Sequence, residues 1–193
     1  MRFHFSFLIP VTALAACLTA AAQTPSYKNV GRSPTAQEIQ AMDIAVSTDG
    51  KELPPGSGTA KAGAQLFADK CAVCHGENQQ GSAQAPALIG GKGTLTSLHP
   101  VLTAGSYWPF ATTIFDYIRR AMPRFQEGTL KADEVYSLTA FILFRNDIIK
   151  ENDFIDAKTL PKIKMPNRDG FIPQNLGEIH DWKKRGCKLG HCP

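Results

Sequence analysis

Five consecutive residues constrain this chain more than any others: Cys71-Ala-Val-Cys74-His75. Two thiols at this spacing can add to the two vinyl groups of a haem, and the adjacent histidine is then held beneath the iron as its proximal ligand. Covalent attachment keeps the cofactor in a domain too small to bury it otherwise. The motif occurs once, which predicts one haem c. Two other chemistries use a Cys-x-x-Cys pair. A zinc site needs further ligands, and no second pair of suitable spacing is present. A thioredoxin-like motif needs a strand before it, and the preceding residues read as helix.

Attachment of this kind belongs outside the cytoplasm, and the N-terminus agrees. Arg2 supplies a positive start, an apolar run follows from Phe5 to Leu18, and Ala20-Ala21-Ala22 offers a small-residue cleavage site. Residues 1–22 therefore read as a signal peptide, and the mature protein as periplasmic with no transmembrane anchor. A second reading stays open: Leu14-Ala15-Ala16-Cys17 resembles a lipoprotein signal, which would anchor the protein through Cys17. Cleavage removes only Arg2 from a formal charge of +4. The remaining basic residues are scattered rather than aligned as a phosphate-binding stripe, which argues against nucleic acid. Near the C-terminus, Cys187 and Cys192 fit a disulfide in an oxidising compartment. Free thiols, or a metal site shared with His191, are the alternatives.

The rest of the 193 residues suits one modest core. Residues 23–57 read as an N-terminal extension, in which Ser33-Pro34 suggests an N-cap followed by a short helix over 35–42. The domain itself is expected over residues 58–150. Gly63, Phe67 and Cys71 share one face of a helix over 59–71. Glycine inside a helix costs about 1 kcal/mol relative to alanine, so Gly63 predicts close approach of a second helix. Residues 76–107 are glycine-rich and aperiodic, as in a loop lining a ligand. A further helix is expected over 109–121 with Phe110, Ile114, Tyr117 and Ala121 as its apolar stripe. Pro123 stops it. A last helix covers 131–147, with Val135, Leu138, Phe141 and Ile142 facing the core. Residues 151–193 read as a proline-punctuated extension that wraps the domain or meets a partner.

An electron carrier needs the second axial position of its iron filled. The candidates after signal removal are Met42, Met122, Met165, His99, His180 and His191. Met122 has the best placement, because the chain must leave a helix there before Pro123. Methionine also raises the reduction potential relative to histidine. The iron ligands are thus expected to be His75 and Met122. Trp108, Arg119 and Arg120 could contact haem propionates, or could be a packed indole and two solvated arginines. Tyr107 and Tyr117 read as core residues rather than electron relays.

The order Gly63…Phe67…Cys71-Ala-Val-Cys74-His75-Gly76, then Met122-Pro123, then Asp133-Glu134-Val135-Tyr136 resembles class I cytochrome c. That likeness implies an all-α fold of a few helices around one covalent haem, with the first and last helices crossing so that Gly63 and Phe67 meet Phe141. A narrower likeness spans residues 29–172. Asn29-Val-Gly-Arg-Ser-Pro-Thr, Gly105-Ser-Tyr-Trp-Pro-Phe-Ala-Thr-Thr, Phe115-Asp-Tyr-Ile-Arg-Arg-Ala-Met-Pro and Met165-Pro-Asn-Arg-Asp-Gly-Phe resemble the cytochrome c subunit of bacterial sulfite and sulfane dehydrogenases. The resemblance implies a monohaem electron-transfer subunit that does no catalysis of its own. Its electrons would come from a molybdenum-containing subunit and leave toward another cytochrome or an oxidase. The sequence departs from the pattern before the last helix, where Lys131 stands at the cap and leaves the capping box incomplete. The Cys187…Cys192 tail also departs from it. Two other functions compete: a haem enzyme such as a peroxidase or sulfur-compound oxidase, and a haem sensor. Both require an exchangeable sixth ligand, and no distal acid–base pair stands beside Met122.

Overall fold

The structure is a computed structural model and describes residues 30–171. The signal-peptide and lipidation expectations, and those for His180, Cys187, His191 and Cys192, fall outside these residues. The chain divides into two compact units, Met1–Met42 and Asp43–Pro193. In the first, helix α1 (Ala36–Met42) buries none of its residues. Its cap is not Ser33. Thr35 Oγ1 accepts from the Glu38 N–H at 3.2 Å, and Glu38 Oε2 accepts from the Thr35 N–H at 2.8 Å. Thr35-Ala-Gln-Glu38 is therefore a complete capping box, which satisfies two backbone donors at once. A serine two residues earlier cannot reach both.

The second unit carries the cytochrome-like helices. Strand β1 (Ser57–Thr59) leads into α2 (Ala60–Lys70), followed by the short α3 (Ala72–His75), α4 (Ala111–Ala121) and α5 (Ala132–Arg145). Strand β2 (Phe154–Asp156) and a 3₁₀ turn (Leu160–Lys162) complete the order. Thr59 caps α2 by accepting the Ala62 N–H at 3.3 Å. Helix α5 is the centre of the unit. Every residue from Val135 to Leu143 is buried, so this helix is covered all round. Helices α2 and α4 and strand β1 all pack on it.

The crossing of α2 and α5 depends on Gly63. A Cβ there would lie 1.9 Å from the Ser137 carbonyl oxygen. Beside it, the Phe67 and Phe141 rings meet at 5.5 Å. The expected contact is present, and Gly63 is the position that permits it. At the start of α5, Glu134 accepts the Lys131 N–H at 2.8 Å and pairs with Lys70 at 3.2 Å. The Lys131 ammonium is a donor only, so just this half of the capping box forms.

One expectation is corrected here. The buried face of α4 is Ala111, Ile114, Phe115 and Ile118, while Tyr117 is exposed. Of the expected stripe only Ile114 is buried, and the buried face is rotated toward Phe115 and Ile118. The segments outside residues 58–150 also contribute to the core. Val46 and Leu53 enter from before it, and Ile155, Leu160 and Met165 from after it. Strand β2 pairs antiparallel with β1, Gly58 opposite Ile155, and this pairing ties the later segment down.

Asp116 fixes the earlier segment. It is nearly buried, accepts the Val46 N–H at 2.8 Å and pairs with Arg120. Burial opposes its ionisation. The Arg120 hydrogen bond and the Val46 N–H outweigh that and hold its carboxyl below the ordinary 3.8. A depressed folded pKa stabilises above the unfolded value and loses that contribution as pH falls through the folded one. Asp116→Asn should therefore cost about 1 kcal/mol at neutral pH, the ion pair being partly exposed. The gap from wild type should close below about pH 4. Urea unfolding at pH 7 and pH 3 measures it, and a gap that widens in acid would contradict the assignment.

Candidate haem site

Helix α2 ends at Cys71, whose N–H returns to the Phe67 carbonyl at 2.9 Å. The chain then makes a single helical turn, α3, which carries Cys74 and His75. Both thiols are free and half-buried. Burial pushes the Cys71 thiol up to about 11, with the Lys70 charge acting the other way, so it stays protonated at neutral pH. Among the described residues, no three His, Cys, Asp or Glu side chains converge as a metal-ligand cluster.

His75 is oriented from the loop that follows. Its Nδ1 lies 2.9 Å from the Pro86 carbonyl oxygen. A carbonyl only accepts, so Nδ1 carries the proton and Nε2 keeps its lone pair for a metal. The loop is closed by its own backbone. Gly81 N–H donates to the His75 carbonyl at 2.8 Å, and Leu88 N–H donates to the Gln79 carbonyl at 2.9 Å. Gln79 sits at φ 60 with its side-chain amide buried and without a protein partner among the described residues. Pro86 and Gln79 both escaped the sequence reading. A carbonyl belongs to every residue type, so no side chain announced the partner of His75.

Met122 stands where the sequence placed it. Helix α4 ends at Ala121, and Met122 is extended (φ −129, ψ 151) with its N–H on the Ile118 carbonyl. The residue is half-buried and packs on the same core as Cys71, Ala72, Leu88 and Trp108. The other methionines differ. Met42 is 84% exposed on the first unit, whereas Met165 is 1% exposed inside the core. His99 is exposed. Arg119 donates to the Ile44 carbonyl at 3.1 Å and Arg120 pairs with Asp116, so both arginines hold the 43–53 segment. Tyr107 and Tyr117 are exposed rather than core.

The donor set fits a covalent haem: two unbridged thiols, an imidazole with a directed Nε2, and a thioether at a helix end beside half-buried apolar groups. Comparisons with known proteins agree. The cytochrome c family model matches residues 60–144. A chain of the sulfane dehydrogenase SoxCD from Paracoccus pantotrophus is 38% identical, with a TM-score of 0.72 over 86% of this chain and 82% of that one. Cytochrome cL from Hyphomicrobium denitrificans is 17% identical with a TM-score of 0.32 over 83% of each chain, too distant to carry an argument. No curated protein matches.

Proposed function

Because this chain belongs to the cytochrome c family, we propose that it is the electron-accepting subunit of a periplasmic sulfite or sulfur-compound dehydrogenase. Cys71 and Cys74 would hold the haem c through thioether bonds, and His75 and Met122 would ligate its iron. The observation that carries the reading is the 2.9 Å contact from His75 Nδ1 to the Pro86 carbonyl, which leaves Nε2 unprotonated and able to bind a haem iron. The haem supplies a one-electron couple between ferric and ferrous iron. The protein contributes fixed ligands: the loop over 75–88 holds the imidazole, and the end of α4 holds the thioether. Fixed ligands on both sides favour passing electrons over binding substrate. The molybdenum-containing dehydrogenase subunit is the donor, in keeping with the likeness to a sulfane dehydrogenase chain. A further cytochrome or an oxidase is the acceptor. No helix among the described residues is long and apolar enough to cross a membrane.

The test uses the purified full-length chain. Its pyridine haemochrome should show one haem c that survives acid–acetone extraction. The haem should be reduced when sulfite or a sulfane compound is added with the dehydrogenase subunit, and not without it. Rapid binding of carbon monoxide or cyanide by the wild type would instead favour an open iron and sink the carrier reading.

A further inference from the structure

The Pro86 carbonyl that receives His75 Nδ1 is not held by packing, because Pro86 is exposed. Its position depends on how the chain is fastened on either side. On the earlier side, Ser82 Oγ donates to the Cys74 carbonyl, and the Ser82 N–H donates to the Ala85 carbonyl at 2.8 Å. On the later side, Leu88 is held at both of its backbone groups. Its N–H donates to the Gln79 carbonyl at 2.9 Å. Its carbonyl accepts from Asn146 Nδ2 at 3.1 Å, across 58 positions of sequence.

Asn146 is itself fixed. It caps α5, with its N–H on the Leu143 and Phe144 carbonyls. Nδ2 carries two hydrogens, and the second goes to the Ile142 carbonyl at 2.9 Å. Both partners are acceptors only, so the amide can face them in one orientation alone. The loop is thereby fastened to a helix buried from Val135 to Leu143. Gly105 leaves room for this side chain. A Cβ there would lie 2.1 Å from Asn146 Oδ1, and the three nearest atoms all belong to Asn146. Gly105 is not left-handed, so the demand for glycine is steric. A hydrogen bond from Nδ1–H to a fixed carbonyl makes Nε2 a stronger electron donor. A stronger donor favours ferric over ferrous iron and lowers the potential. A carbonyl free to drift would leave Nδ1 to water and weaken that effect.

We propose that Asn146 is a positioning residue for the proximal ligand: by clamping Leu88 to the end of α5, it keeps the Pro86 carbonyl on His75 Nδ1 and lowers the reduction potential of the haem. The inference rests on the haem ligation proposed above and adds what tunes it. The test uses full-length holoprotein, with spectroelectrochemical titration and NMR of the His75 ring N–H in the ferrous state. Asn146→Ala should raise the ratio of ferrous to ferric haem at a fixed potential by about threefold to tenfold, tenfold being about 59 mV for one electron. The His75 ring proton should exchange with water faster. Gly105→Ala keeps the asparagine but drives its side chain off Leu88, and should move both readouts the same way. If Asn146→Ala yields no holoprotein, Gly105→Ala decides alone. Ile155→Ala is the control for general loosening, since Ile155 is buried on β2 and takes no part in the clamp. It should lower Tm and leave the potential and the proton exchange at their wild-type values. A wild-type potential in both Asn146→Ala and Gly105→Ala would overturn the clamp, and so would an equal shift in Ile155→Ala. A wild-type chain without covalent haem, or with iron not bound by His75, would bring down the functional reading and the clamp with it.

Discussion

Gly63→Ala is expected to destabilise the protein by about 2–3 kcal/mol, although alanine is the better helix former. The added Cβ would sit 1.9 Å from the Ser137 carbonyl oxygen, 2.5 Å from its carbonyl carbon and 2.8 Å from the Phe141 Cβ. The first two are backbone atoms of a helix buried all round, so they cannot turn aside as a side chain could. The helices must separate instead, and the Phe67–Phe141 contact loosens with them. The gain of about 1 kcal/mol in helix propensity is smaller than the overpacking cost. For a chain of this length the loss corresponds to a fall in Tm of roughly 5–10 °C. Thermal unfolding followed by circular dichroism measures it. Gly63→Val adds two further carbons to the same gap and should reduce recovery of folded holoprotein severely. A Gly63→Ala variant as stable as wild type would mean that the α2–α5 crossing is looser than the 1.9 Å separation implies.

The same glycine shows what was legible in the sequence. Gly63, Phe67 and Cys71 repeat every four residues, and a glycine inside such a run has a cost that only close packing explains. Periodicity likewise located α2, α4 and α5 to within about two residues. It did not fix the phase of α4, because Tyr117 is apolar enough to pass for core while Asp116 looks like surface. Asp116 is buried because Val46, 70 positions away, offers it an N–H. No local pattern encodes such a partner. The core contributions of Ile155, Leu160 and Met165 were hidden for a related reason: short strands and a 3₁₀ turn among prolines carry no period. Side-chain chemistry marked Cys71, Cys74, His75 and Met122 as the proposed haem-binding residues. The backbone that orients His75 was silent.

Met122→Ala and Met165→Ala should separate ligation from packing. Met122 is half-buried at the end of α4 and extended away from it, so its thioether is free to reach a metal. Met165 is enclosed in the core, 1% exposed. Met122→Ala should abolish the methionine–iron charge-transfer band and lower the reduction potential by a sizeable part of the roughly 0.8 V that axial ligands span. It should also admit carbon monoxide readily, because nothing else in the α4 end supplies a donor of that kind. Its stability loss should be modest, since a half-exposed side chain leaves little cavity. Met165→Ala should do the opposite. Its band and potential stay near wild type, while unfolding becomes easier by about 2–5 kcal/mol as a buried thioether is replaced by a cavity. The two variants are compared by near-infrared absorption, redox titration and denaturant unfolding. Loss of the band in Met165→Ala with its retention in Met122→Ala would overturn the ligand assignment.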